Sequence, residues 1–217
     1  HRDLHSFPTR RSSDLSHDTE EPLFHLHTRA EGTLEYTTLF YVPKRAPFDM
    51  YQVDYRPGVK LYVKRVFITD DDKELMPTYL RFVRGIIDSE DLPLNVSREI
   101  LQQNRILLNI RNASVKKLLG EFQRIALEDK AKYADFIAEY NRPLKEGLYA
   151  DYGNRETLLE LIRFKSTKVG GFTSLEEYKG RMLPDQKAIY YITGENEAAL
   201  RKRSEERRVG KECRSRW

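Results

Sequence analysis

Arg98 and Gln102 stand four residues apart, a spacing that puts a guanidinium and a carboxamide on one face of a helix. Together they could bind a phosphate. The guanidinium offers a rigid fork of donors, and a helix N-terminus adds positive potential. Ser97 has the side chain of an N-cap, with Ile100 and Leu101 as the first apolar residues behind it. Just upstream, Asp88, Ser89, Glu90 and Asp91 form an acidic turn, and Pro93 keeps Leu92 extended. Arg and Gln at this spacing also occur on many solvated helices, so the pair gains its weight from its surroundings.

Other chemistries find little support. All five His residues precede Thr28, so none is obviously paired with a nucleophile. His25 and His27 could share a metal on a strand, but no Cys or third ligand accompanies them, and they read as solvent-facing. Asp70-Asp71-Asp72 lacks the later ligands of a calcium loop, and Gly170-Gly171 is too little for a phosphate loop. No Gly-rich nucleotide loop, zinc-spaced Cys/His set or Gly-x-Ser-x-Gly elbow is present. No metal site is expected, and as a stand-alone enzyme the chain is unpromising.

A different kind of site is conceivable around Phe48, Met50 and Tyr51, in a loop or short helix over Lys44–Tyr55. Three large apolar residues beside Pro47 read first as folded onto their own core. Exposed, they would suit non-native polypeptide, because Met and aromatic side chains adapt to varied partners.

The elements that must position these residues follow from periodicity. Thr33–Val42 is rich in β-branched and aromatic residues and predicts a strand ended by Pro43, after a short apolar patch over Glu21–Thr28. Val59–Thr69 predicts one strand, apolar on both faces and therefore covered by helices on both sides. Leu75, Tyr79 and Val83 fall at helical spacing until Gly85, and Ile86-Ile87 can form a short strand. From Ser97 a long helix carries Val115, Leu118, Phe122 and Ile125 behind Arg111. A second, from Asp129 to Pro143, carries Tyr133, Phe136, Ile137 and Tyr140. Asn154 can cap a helix with Leu158, Leu159 and Ile162, and Ser174-Leu-Glu-Glu177 is a capping box. Ala188–Thr193 predicts an apolar strand. The fold class is α/β. A larger three-layer unit spans residues 18–111, a helical connector 112–153 and a smaller α/β unit 154–201.

Composition limits the partners. With 39% hydrophobic and 33% charged residues, the 217-residue chain has no apolar run near the ~20 residues that cross a bilayer, and none resembles a secretory signal. A single Cys excludes an internal disulfide and fits a reducing cytoplasm. The net charge of +4 could point to nucleic acid. Its location argues against that: residues 1–15 hold three basic and two acidic residues, residues 203–217 six and three, and the stretch between is neutral. Both ends lack helical or strand period and resemble translated sequencing-adaptor DNA, so they are set aside as processing scars.

Leu61–Thr69, Tyr79–Ile87, Asp88–Gln103, Thr157–Lys168 and Gln186–Glu195 together resemble the middle domain of the heat-shock protein 90 chaperones, in their bacterial form. The resemblance covers Asp18–Arg201, and Asp-Leu-Pro-Leu-Asn followed by Ser-Arg-Glu-Ile-Leu-Gln-Gln is its most specific part. It implies an α-β-α layered larger subdomain, like domain 2 of ribosomal protein S5, that lacks its first strand or strands. It also implies that ATP with Mg binds a separate N-terminal domain and none binds this piece alone. Arg98 would be the catalytic-loop Arg that reaches the γ-phosphate and Gln102 its partner, with Asn95 and Ser97 shaping the loop. Phe48, Met50 and Tyr51 would lie near client contacts. The expected partners are unfolded or partly folded clients, the N-terminal ATPase domain and a C-terminal dimerisation domain; the piece itself would be monomeric, cytoplasmic, and free of nucleic acid and membrane. The rival readings are a pure interaction module that binds clients without chemistry and a nucleic-acid-binding module.

Overall fold

The computed structural model describes residues 21–70, 75–94, 104–194 and 198–200. The chain forms two compact units that divide after Ile162. The first holds a five-stranded sheet in the order β1-β2-β5-β3-β4. Its strands are β1 (Phe24–Ala30), β2 (Tyr36–Val42), β3 (Gly58–Val63), β4 (Val66–Thr69) and β5 (Arg84–Ser89). All neighbours are antiparallel except β3 and β5, which run parallel.

Register explains which side chains meet. Leu26 lies opposite Phe40, Phe40 opposite Gly85, and Gly85 opposite Val59. The next row is Thr28, Thr38, Ile87 and Leu61. These rows share one face, which is buried apart from the partly buried Leu26. On the other face His25, His27 and Arg29 are exposed, and Lys60, Tyr62, Arg84, Ile86 and Asp88 are only partly buried. The two histidines face solvent, as expected.

Two helices pack on the buried face: α1 (Arg105–Glu128) and α2 (Lys130–Ala150). The α1 stripe of Val115, Leu118, Phe122 and Ile125 is buried, as the spacing predicts, and Leu107, Ile110 and Leu119 join it. Rings from three parts of the chain meet there. Phe24 of β1 packs edge-on to Phe122 of α1 at 5.4 Å, and Phe82 stacks on Tyr140 of α2 at 4.2 Å. Such pairs add about 0.5–1.5 kcal/mol each beyond the area they bury. The helical pair that the sequence reads as a connector therefore shares its core with the sheet. A short helix α3 (Arg155–Leu161) follows, with Leu158 and Leu161 buried.

Several expectations are corrected. The single strand over Val59–Thr69 is two strands, because Lys64 and Arg65 take φ of +50° and +68° and turn the chain between Val63 and Val66. Positive φ at both central residues is the two-residue hairpin geometry, ordinarily the province of Asn-Gly. The helix expected around Leu75, Tyr79 and Val83 is a single 3-10 turn, Thr78–Leu80. The three residues are buried all the same. Gly85 breaks no helix; it sits inside β5 with φ +144°. Pro143 does not end α2, which continues to Ala150. Pro143 removes one backbone hydrogen bond, and burial of Tyr140, Pro143, Leu144 and Gly147 on the same face outweighs that loss.

The second unit has a two-stranded antiparallel pair, β6 (Phe164–Lys165) with β7 (Phe172–Thr173), and helix α4 (Leu175–Gly180). The capping box is complete: Ser174 Oγ accepts from Glu177 N–H, and the Glu177 carboxylate accepts from Ser174 N–H. The Ser174 N–H and the Thr173 hydroxyl hold the Glu177 carboxyl below its ordinary range. That support is present at neutral pH and is lost as pH falls through the lowered value. Residues 188–193 form no strand. A strand needs a ladder of backbone bonds to a neighbouring strand; here Tyr190 N–H donates to the Tyr178 hydroxyl.

Ser114 on α1 is buried and its hydroxyl has no hydrogen-bond partner among the described residues. Ser114→Ala removes that orphan and raises helix propensity, for a gain of about 1 kcal/mol. A thermal melt of the variant should shift upward by a few degrees. A downward shift would reveal a partner for the hydroxyl.

Candidate functional site

The segment that bears Arg98 and Gln102, the pair expected to meet a phosphate, lies between β5 and α1. Asn95, Ser97, Arg98 and Gln102 fall outside the described residues, and so does the helix start expected at Ser97. The two shoulders of the segment are described. On the near side, β5 runs through the middle of the sheet and ends at Ser89. Leu92 is fully buried just beyond it. On the far side, Asn104 caps α1, its side-chain oxygen accepting from Ile106 N–H at 2.8 Å and Leu107 N–H at 3.4 Å. The long helix expected to run from Ser97 is therefore corrected: Asn104 is extended (φ −80°, ψ 115°) and α1 starts at Arg105, a cap that the apolar Ile106, Leu107 and Ile110 behind an Asn could have signalled.

Between Ser89 and Leu92 the acidic turn is fastened to its neighbours. Glu90 N–H donates to the Glu35 carbonyl at 3.0 Å, and Asp91 Oδ2 accepts from Glu35 N–H at 2.6 Å. Asp88 Oδ1 accepts from Arg65 N–H at 3.1 Å, and the Ser89 carbonyl from Lys64 N–H at 3.0 Å. The last two bonds hold the Lys64-Arg65 turn in its unusual conformation. The path into the segment is thus set by side chains that read, in sequence, only as a polar turn.

The loop bearing Phe48, Met50 and Tyr51 divides between the two readings. Met50 is 2% exposed and belongs to the core, whereas Phe48 is 95% exposed. The core reading fails at Phe48 because the turns over residues 48–54 point it outward while Met50 turns in. Tyr51 is half-exposed, with the Arg142 guanidinium 4.3 Å and that of Arg81 5.0 Å from its ring centre. Burial raises the Tyr51 pKa against the pull of these two cations.

Arg81, which sequence reading passed over, organises this loop. It is nearly buried, its Nε donates to the Met50 carbonyl at 3.2 Å, and its two terminal nitrogens grip the Glu146 carboxylate at 2.7 and 3.2 Å. The Tyr55 hydroxyl donates to the Arg81 carbonyl at 3.1 Å, and Ala46 N–H to Glu139 Oε2 at 2.9 Å. The loop is stitched to α2 at several points, and Phe48 projects from that base. The signal was a lone charge inside the apolar run Tyr79-Leu80-Arg81-Phe82-Val83.

Among the described residues, no three or more His, Cys, Asp or Glu cluster so as to hold a metal ion. No described helix is long and apolar enough to cross a membrane.

The model of the family described as "Hsp90 protein" matches residues 12–211, so the chain belongs to that family. It is 72% identical over 191 residues to the "Chaperone protein HtpG" of Treponema denticola, a match over 86% of this chain and 30% of the relative. The proteins of the same name from Treponema pallidum and Helicobacter pylori are 66% and 62% identical. The chain thus spans about 30% of the length of these curated relatives.

Proposed function

We propose that the chain is the middle segment of an ATP-dependent molecular chaperone. Family membership over residues 12–211 carries this reading, with Arg98 and Gln102 present in the segment between β5 and α1. ATP and its Mg ion would bind an N-terminal domain outside this chain, where the bound nucleotide supplies the bond to be cleaved. Arg98 would place its guanidinium against the γ-phosphate, and Gln102 would add an amide contact from the same helix face. Asn95 and Ser97 would shape the loop through an Asx turn and a cap. Dimerisation would belong to a C-terminal domain, leaving this piece monomeric, and the whole would work in the cytoplasm. The larger unit would carry the family's α-β-α layering.

Phe48 and Tyr51 would contribute to the binding of unfolded clients, with Met50 as the buried foot of their loop. The near-complete exposure of Phe48 and Val53 also supports a second reading, an interaction module that holds clients without chemistry.

The isolated chain should neither bind nor hydrolyse ATP, since the pair contacts only a terminal phosphate held elsewhere. Titration calorimetry checks this directly: micromolar ATP affinity would overturn the division of labour. Suppression of client aggregation by the isolated chain, with no nucleotide present, would favour the interaction module.

A further inference from the structure

Two cations stand over the Tyr51 ring, and their charges are differently committed. Arg81 is nearly buried and engaged: its guanidinium grips the Glu146 carboxylate, and its Nε donates to the Met50 carbonyl. Arg142 is exposed on α2, with its guanidinium 4.3 Å from the ring centre. The carboxylates one turn away along α2 each serve another partner. Glu139 accepts from Ala46 N–H, and Glu146 is held by Arg81. Among the described residues Arg142 forms no ion pair. A guanidinium resting on an aromatic ring keeps its N–H edge for an acceptor, and a carboxylate matches that fork with two oxygens.

Apolar surface lies on the same loop, to either side of Tyr51 in sequence. Phe48 is 95% and Val53 96% exposed. Single exposed apolar side chains are ordinary, but two of them flanking a ring with a cation on it make a mixed patch that suits a mixed ligand.

We propose that Arg142, resting on Tyr51, selects client segments in which an acidic residue adjoins a large apolar one. The inference rests on the client reading proposed above for Phe48 and Tyr51. The apolar residue meets Phe48 and Val53, and the Asp or Glu carboxylate accepts from the guanidinium edge. An exposed pair of this kind changes affinity by about fivefold at most and is screened by salt. It therefore sets the preference among segments, while the apolar contact decides whether they bind. A basic residue in the same place meets a like charge and is rejected.

The test titrates this chain with unstructured fluorescent peptides, read by anisotropy at low salt. They carry a Leu-Phe pair followed by Glu, Gln or Lys and are otherwise identical. The Glu peptide should bind about fivefold tighter than the Gln peptide, and the Lys peptide should bind weakest. Arg142→Gln should erase the order and leave the affinity of the Gln peptide unchanged. Arg142→Glu should reverse the order, so that the Lys peptide binds best. Reversal is the result that a merely loosened loop does not produce. Equal affinities for the three peptides, or an order that survives Arg142→Glu, overturn the proposal; the client reading then stands if Phe48→Ser weakens all three. Failure of every peptide to bind, or binding that Phe48→Ser leaves unchanged, overturns both.

Discussion

Arg98→Ala in a complete chain should abolish most ATP turnover, by at least ~100-fold, while ATP affinity changes little. The asymmetry follows from where charge develops. A guanidinium against a transferring phosphoryl group is worth more as charge builds there than in the bound ground state, so its removal appears in kcat. Arginines supplied to a nucleotide held by another domain reach ~10³–10⁵-fold at the upper end. A 100-fold loss corresponds to about 2.7 kcal/mol of transition-state stabilisation. Arg98→Lys should restore only part, since an ammonium lacks the planar fork, and Gln102→Ala should be milder than either. Steady-state turnover measured beside nucleotide affinity decides the matter. Equal loss of binding and turnover would mean that Arg98 belongs to the nucleotide site itself.

Gly85→Ala should cost about 3–5 kcal/mol, a large share of the ~5–15 kcal/mol that stabilises an ordinary domain. Gly85 sits in the central strand with φ +144°, and a Cβ built there would lie 1.9 Å from the Leu39 carbonyl oxygen. The oxygen belongs to the neighbouring strand, so relief requires β2 and β5 to separate, and with them the rows of buried side chains they share. Gly120 provides the control. It lies on α1 with nothing within 4 Å of a built Cβ, and Gly120→Ala should stabilise by about 0.5–1 kcal/mol. Denaturant unfolding of both variants reads opposite signs from one chemical change. A Gly85→Ala chain that unfolds at the wild-type midpoint would show that the close approach is not rigid.

Much of this architecture is legible in the residues, and the exceptions have common causes. Periodicity finds α1, the capping box at Ser174 and the strand at Tyr36–Val42, because each is decided by neighbours in sequence. It misses the turn at Lys64-Arg65, where positive φ is imposed by Asp88 and Ser89 from another strand. It ends α2 too early at Pro143, since burial against distant residues overrides a local break. It draws a strand at 188–193 from composition alone, although strands exist only in pairs. For the site, Arg98 and Gln102 are visible as a pattern, and their side chains lie outside the described residues. The fastenings at the two shoulders of their segment, Asp91 on Glu35 and Asn104 on α1, are tertiary or end effects. Arg81 belongs with these, because its partners Met50 and Glu146 are far away in sequence.

The strand order has a consequence for how the molecule is made. β1 with β2, and β3 with β4, are local hairpins that can pair as soon as each is synthesised. Neither can reach the other until β5 slots between them, and one of its two junctions is parallel. Closing such non-local, parallel pairings is the slow part of folding. While β5 is awaited, two open hairpin edges stand exposed to pairing with other chains. The segment with Arg98 follows β5 directly in sequence, so it gains a fixed origin only when that last junction shuts. A chain that halts short of this step holds all its strands and still has nowhere to set its arginine.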